Sequence, residues 1–307
     1  MTLLSFLQTR RSSRVKECSS SATSSGAAAL ADDKNLLLRF GGSDIRYLCM
    51  QHYGSNKLKT ALDITRQIEN WPTAFDLRLR RRRRGLRLLR FRNGLNVVCR
   101  GATRDWDVVH ELLFAGGYGR ALNYLKRLPG KPLVLDLGGH IGIFALLAAS
   151  THPGAEIHSC EPGPPNFRLF EMNCLANPAT AERIHLRKHA VGGFARTTEW
   201  FFDELNPGGS SLFAKHGASY PVEIRTFADL VRSLAGPIGL VKIDIEGAEF
   251  ELLERTPPEV WQRIEAISLE LHEDPSGKVS QDVFFRRMAS HGYRIEEEAV
   301  CSFFLHR

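Results

Sequence analysis

From Leu133 onward, short apolar runs alternate with segments whose apolar positions recur at helical spacing. Strands are expected at 133–137, 156–160, 184–191, 240–245 and 266–272, and helices at 141–150, 165–175, 226–234, 248–254 and 281–291. Shorter strand-like pieces fall near 200–202, 211–213 and 222–225, and 293–296 with 300–305 should close the chain as an antiparallel pair. Regular alternation of this kind builds a mostly parallel sheet with helices on both faces, a Rossmann-like doubly wound α/β domain. In such a sheet a ligand sits beyond the carboxyl ends of the strands.

Ahead of this domain the pattern differs. Residues 86–92, Asn93-Gly94 and 95–99 read as a β-hairpin, with Asn-Gly supplying the positive φ angles of a tight turn. A helix is expected at 105–114, capped by Thr103 or Asp105 and stopped at Gly116-Gly117, and a second at 120–128 before Pro129-Gly130. The chain is therefore read as a low-complexity leader (1–35) expected to be disordered, a basic extension (36–130) with the hairpin and helices, and the α/β domain (131–307).

Composition adds an asymmetry. The 307 residues are 43% hydrophobic and 24% charged, enough to bury a core without disulfides. Residues 1–132 carry 25 Lys and Arg against 10 Asp and Glu, whereas the remainder carries 16 against 24. The front of the chain is basic and the α/β domain is not. The run Arg80–Arg84, with Arg78, Arg87, Arg90 and Arg92, is either a solvated strand edge that blocks wrong pairing or a patch for phosphate or another anionic surface. The six cysteines contain no C-x-x-C pair, which argues against a zinc site or a disulfide framework and for a reducing, cytoplasmic setting. Residues 1–31, rich in Ser, Ala and Arg, also have the composition of an organellar transit peptide. No stretch reads as a membrane-spanning helix; the longest apolar candidate, 132–150, is interrupted by Asp136, His140 and glycines.

Three motifs carry chemistry. In Leu133-Val-Leu-Asp-Leu-Gly-Gly-His-Ile-Gly142 an apolar strand ends on Asp136 and runs into a loop with Gly138, Gly139 and Gly142. The loop lacks the G-K-[ST] ending of a phosphate cradle and the G-x-G-x-x-G spacing of a dinucleotide site. A carboxylate at a buried strand end needs donors, which glycine-loop N–H groups can supply, and it favours a cationic ligand. S-adenosylmethionine, with a sulfonium and an ammonium but no phosphate, fits; the alternative is an Asp that only braces its own loop. At the end of the next strand, Glu161, followed by Pro162, stands where an acid can accept both hydroxyls of a ribose. In Val241-Lys-Ile-Asp-Ile-Glu-Gly-Ala-Glu249, alternation places Lys242, Asp244 and Glu246 on one strand face, and Ser268, Glu270 and His272 repeat that pattern. Two polar rows predict a shared polar cleft; the alternative is a Lys–carboxylate network that only braces the fold.

The arrangement D-x-G-x-x-x-G from Asp136, Glu161-Pro162 with Asn166 after it, Gly209-Ser-Ser-Leu212 and K-I-D-I-E-G-A-E from Lys242 resembles the FkbM-type methyltransferase family. The likeness runs from about Leu86 to Tyr293 and includes the Asp107, Glu111 and Tyr118 spacing before the core. The family's usual loop reads D-V-G-A-N-I-G, so Gly139 and His140 stand here where Ala and Asn are common. The resemblance implies methyl transfer from S-adenosylmethionine to an oxygen of a sugar, polyketide or other small molecule. The cofactor-binding set is then Asp136, Gly138, Gly139, His140, Gly142, Glu161 and Pro162. Asp244, Glu246 and His272 are the candidates for base or acceptor-positioning group. No metal set stands out; Asp244, Glu246 and Glu270 come nearest as oxygen ligands. Two other readings share the motifs: a methyltransferase recruited to RNA or a polysaccharide by the arginine run, and a non-catalytic interaction protein that keeps the fold.

Overall fold

The computed structural model describes residues 57–79, 84–203, 218–299 and 301–307, all within one compact unit, Gly41–Arg307. The leader, Arg80–Arg83 of the arginine run, and Gly209-Ser-Ser-Leu212 with the strand-like piece at 211–213 lie outside the described residues. Helices α1 (Lys57–Gln67) and α2 (Trp71–Leu79) precede the hairpin β1 (Leu86–Arg90) and β2 (Asn96–Arg100). Then come α3 (Asp105–Leu113), α4 (Gly119–Leu125), β3 (Leu133–Leu137), α5 (Ile143–Thr151), β4 (Glu156–Cys160), α6 (Pro164–Leu175), α7 (Pro178–Ala181) and β5 (Ile184–Arg187). The second half runs β6 (Ala190–Gly192), β7 (Arg196–Phe202), β8 (Ala218–Thr226), α8 (Phe227–Arg232), β9 (Ile238–Ile243), α9 (Glu249–Arg255), α10 (Pro258–Trp261), β10 (Ile264–Glu270), α11 (Gln281–Ser290), β11 (Arg294–Ala299) and β12 (Ser302–His306).

The main sheet has the order β11-β12-β10-β9-β3-β4-β5. Its strands β10, β9, β3, β4 and β5 are parallel, and the expected antiparallel pair β12 and β11 closes one edge. This is the doubly wound α/β architecture. The apolar run 184–191 is two strands: its first half is an edge of the main sheet, and its second half joins a separate sheet ordered β6-β8-β7.

Both faces of the main sheet are covered. Val134, Leu240 and Ala266 pack with α3, α4, α5 and the hairpin residues Leu89, Val97 and Cys99 in one core. Leu135, Val241 and Ile267 pack with α8, α9 and α11 in the other. Register places Ser159, Asp136, Lys242 and Ser268 directly beside one another across β4, β3, β9 and β10. All four are buried, so the two polar rows expected from alternation meet as one row spanning four strands.

The hairpin turn departs from expectation. Asn93 keeps a negative φ and only Gly94 is left-handed, at +90°. Phe91 N–H donates to Leu95 O (2.8 Å) and Gly94 N–H to Phe91 O (2.9 Å), so a three-residue loop replaces the two-residue turn. The free edge of β2 is satisfied by α6 and by Asn177, just past its C-cap. Asn173 Oδ1 accepts from Val98 N (2.6 Å), its Nδ2 donates to Val98 O (3.2 Å) and Ile141 O (2.8 Å), and Asn177 makes the equivalent pair with Asn96 N and O (2.8 and 2.6 Å). Two residues along a strand rise about 6.7 Å and four along a helix about 6 Å, so amides at i and i+4 match the strand repeat.

Replacing Asn173, which is 0% exposed, by Leu strands the Val98 N–H and two carbonyls away from water. We expect a loss of about 2–4 kcal/mol, read as a lower urea midpoint at unchanged slope. A midpoint equal to that of the parent protein contradicts the docking role.

Candidate active site

Asp136 closes β3 with no exposed surface. Its Oδ2 accepts from Ser159 Oγ at 2.7 Å, and Oδ1 lies 3.5 Å from Lys242 Nζ. Among the described residues Oδ1 takes no hydrogen bond. The glycine-loop N–H groups were expected to serve this carboxylate, and they do not. Gly138 and Gly139 both donate to Cys160 O (3.1 and 2.9 Å), tying the loop to β4. Burial pushes the Asp136 carboxyl up, opposed by Lys242 and the Ser159 hydroxyl.

Lys242 is the hinge of the arrangement. Its Nζ lies 3.4 Å from Asp244 Oδ2 as well as 3.5 Å from Asp136, donates to Gly138 O, and sits 5.9 Å from the centre of the Tyr118 ring. Burial pulls its ammonium down, but Asp244 and Asp136 prevail and hold it above its usual range. Gly138, at φ +82°, has no room for a side chain: a Cβ there would stand 1.9 Å from Asp244 O. The tips of β3 and β9 therefore touch through backbone.

Glu161 is buried at the end of β4 and receives N–H groups from both sides, His140 N on Oε2 (2.8 Å) and Gly163 N on Oε1 (2.9 Å). Burial raises its pKa to about 7 against those N–H groups and Asn166. His140 adopts φ +49°, a left-handed conformation that Asn and His enter more readily than most residues. That accounts for a His where the resemblance leads one to expect Asn: the position selects for backbone geometry. Burial pulls its imidazole down to about 4, so it is neutral near pH 7. Pro162 follows in the turn that leads into α6.

Sequence reasoning gave no role to the group beside His140. Arg100 grips Asp105 through Nε and Nη2 (2.9 Å each), and Nη2 also donates to Asn166 Oδ1 at 2.9 Å. The Asp105 carboxylate, fully buried, also accepts from the Arg100 backbone N–H at 2.8 Å. Thr103 or Asp105 was the expected cap of α3, but Arg104 stands at the cap position with no side-chain cap hydrogen bond, and the Asp105 carboxylate is taken by Arg100 instead.

Past β9 the strand alternation stops at Ile243, two residues sooner than expected. Glu246 turns to φ +56° and Gly247 to +102°, so a turn brings Asp244 and Glu246 to His272. Ligand atoms of Asp244, Glu246 and His272 lie within 4.8 Å of one another. His272 Nε2 is 3.5 Å from Glu246 Oε2, 4.0 Å from Asp244 Oδ1 and 3.8 Å from Glu270 Oε1. Glu249, which sequence reasoning placed only in the following helix, accepts from Ile245 N (3.1 Å) and Gly247 N (2.9 Å) and meets His272 Nδ1 at 2.9 Å. Its signal was present as the last acid of the Lys242–Glu249 motif.

A parallel sheet with acids at successive strand tips, a glycine turn after β3 and an antiparallel edge pair defines a Rossmann-like fold of the class I methyltransferase type. A family model described as the methyltransferase FkbM domain matches residues 136–295. The chain belongs to the FkbM methyltransferase family. It is 25% identical over 185 residues to methyltransferase sdnD of Sordaria araneosa, covering 50% of this chain and 71% of that one. It is 26% identical over 240 residues to the 31-O-demethyl-FK506 methyltransferase FkbM of Streptomyces tacrolimicus, covering 68% and 90%. A crystal structure of methyltransferase FkbM from Methylobacillus flagellatus KT aligns at TM-score 0.41 and 15% identity, over 60% of this chain and 48% of that chain. No described helix is long and apolar enough to cross a membrane.

Proposed function

We propose that this chain transfers a methyl group from S-adenosylmethionine to a hydroxyl oxygen of a small molecule or sugar. The observation that carries the reading is Asp136: a carboxylate with no exposed surface whose Oδ1 takes no hydrogen bond among the described residues. With Lys242 and Asp244 it forms a unit of net charge −1 at the strand tips, suited to a cationic ligand. Glu161 supplies the acceptor for ribose hydroxyls, held in place by His140 N and Gly163 N. An O-methyl acceptor is in keeping with the name of the Streptomyces tacrolimicus relative, a 31-O-demethyl-FK506 methyltransferase.

When bound, the cofactor supplies a methyl group already activated by its sulfonium. The protein's own task is to hold the acceptor in line and relieve it of a proton. Asp244, Glu246 and His272 are the groups for that task, gathered within 4.8 Å. Lys242 Nζ stands 3.4 Å from Asp244 Oδ2, on the side away from His272, and Glu249 fixes the His272 ring.

For Asp244→Asn we expect S-adenosylmethionine binding to persist in calorimetry while transfer to the acceptor falls about 10²–10⁴-fold, the usual worth of a proton-transfer group. The acceptor is found first by mass spectrometry of a metabolite extract incubated with isotope-labelled methyl donor. Parent-level turnover in the variant removes Asp244 from catalysis.

Glu161 also sets a pH dependence. A diol donates to the carboxylate and not to the acid, so binding uses the form present above about pH 7. With 5′-methylthioadenosine as probe, affinity should be flat above pH 8 and fall toward about tenfold per unit below the pKa. Glu161→Gln should flatten the profile. A parent profile that is level from pH 8 to 5.5 speaks against ribose contact.

A further inference from the structure

Two groups of His and carboxylate ligands occur among the described residues: Asp244, Glu246 and His272 at the strand tips, and Glu156, His158 and His185 on β4 and β5. They differ in what stands behind the histidine. A ring nitrogen can bind a metal only through a lone pair, so the other nitrogen must carry the hydrogen and needs an acceptor. Behind His158, Nδ1 faces the Nη2 donor of Arg187 at 3.2 Å. That contact makes Nδ1 the acceptor and puts the hydrogen on Nε2, toward Glu156 Oε1 at 3.3 Å. The ring is set for hydrogen bonding.

Behind His272 the polarity is reversed. Nδ1 faces Glu249 Oε1 at 2.9 Å, on a carboxylate that is 1% exposed and already accepts two backbone N–H groups. Glu249 offers no donor, so Nδ1 carries a hydrogen, and Nε2, ringed by the acceptors Asp244, Glu246 and Glu270, is the nitrogen a cation takes in exchange for any proton there. A carboxylate behind a histidine is the outer-shell arrangement that orients an imidazole for a metal and raises its basicity. Glu249 also pins the turn at Ile245 and Gly247 that presents Asp244 and Glu246.

We propose that Asp244, Glu246 and His272 bind one divalent cation, with Glu249 as the positioning residue behind His272. Two carboxylates and one imidazole suit Mn²⁺, with Mg²⁺ the weaker alternative because it prefers an all-oxygen shell. Three protein ligands leave about three positions of an octahedron open. Those positions fit an acceptor with two neighbouring oxygens, such as a vicinal diol, a catechol or a 2-hydroxy acid. The inference rests on the methyl-transfer reading and deepens it: Asp244, Glu246 and His272 act on the acceptor through the cation they hold, which lowers the pKa of the hydroxyl it touches, in place of taking the proton themselves. In the step this serves, the acceptor oxygen bonds to the methyl carbon as the carbon–sulfur bond breaks. The electron pair of that bond stays on sulfur, leaving S-adenosylhomocysteine, and the hydroxyl proton passes to water.

The test is a Mn²⁺ titration of the full, chelator-treated chain followed by electron paramagnetic resonance, with S-adenosylhomocysteine calorimetry on the same samples. We expect one Mn²⁺ per chain, with a ¹⁴N coupling that disappears in His272→Gln. Affinity should fall about 10–100-fold in Glu249→Gln and be unchanged in His158→Gln. Should Glu249→Gln fold poorly, His272→Gln and the ¹⁴N signal decide the question alone. No stoichiometric Mn²⁺, a signal without nitrogen coupling, or methyl transfer equally fast in excess EDTA overturns the metal site. The cofactor reading then still stands if S-adenosylhomocysteine binds, and falls separately if it does not.

Discussion

A single buried ammonium organises the strand tips. Lys242 lies at the centre of the sheet between Asp136 of β3 and Asp244 just past β9, within 3.5 Å of each. A lone charge at that depth would cost several kcal/mol, and an unpaired carboxylate as much again. Together the three are tolerable only in this geometry, so the ends of β3 and β9 must stay in register. Gly138 exists in that frame because the Asp244 carbonyl occupies the space a side chain would need. Lys242 therefore belongs to both halves of the site: on one side the glycine turn and Glu161, on the other Asp244 with Glu246 and His272.

The hairpin ahead of the α/β domain serves the same site from outside. Its second strand is held by Asn173 of α6 and by Asn177 at the start of α7, and Asn173 at the same time caps Ile141 in the glycine turn. Its last residue, Arg100, clasps Asp105 and reaches Asn166, near His140. Both links end on the segment that holds Glu161. The extension thus buries apolar surface in the common core and stiffens the loop whose His140 N–H holds Glu161.

Much of this was legible in the sequence. The alternation of strands and helices fixed the doubly wound sheet, because buried parallel strands need continuous apolar runs. The polar row was readable from Lys242 and Ser268, since a charged residue on a central strand needs a partner on its neighbour. The limits were physical ones. The run 184–191 looked like one strand because apolar periodicity cannot report the change of sheet between Arg187 and Ala190. Alternation past Ile243 failed because Glu246 adopts a left-handed conformation, which its residue type does not advertise. The donors for Asp136 were misjudged because the loop N–H groups had a nearer carbonyl, Cys160 O. Arg100, Asp105 and Glu249 act on residues 23 to 66 positions away, beyond the reach of local pattern.

The account turns on why a carboxylate is kept at the end of β3 out of contact with water. If Asp136 is held for a cationic nucleoside, then exchanging it for its neutral isostere must be felt in ligand binding and not only in folding. Calorimetric titration of S-adenosylmethionine into Asp136→Asn, beside the parent protein at the same pH and with matched unfolding midpoints, measures this directly. The account requires strong binding to the parent chain and a loss of at least about tenfold, or 1.4 kcal/mol, in the variant. Equal affinities would mean that Asp136 serves only Lys242 and Ser159, and that the nucleoside is recognised elsewhere.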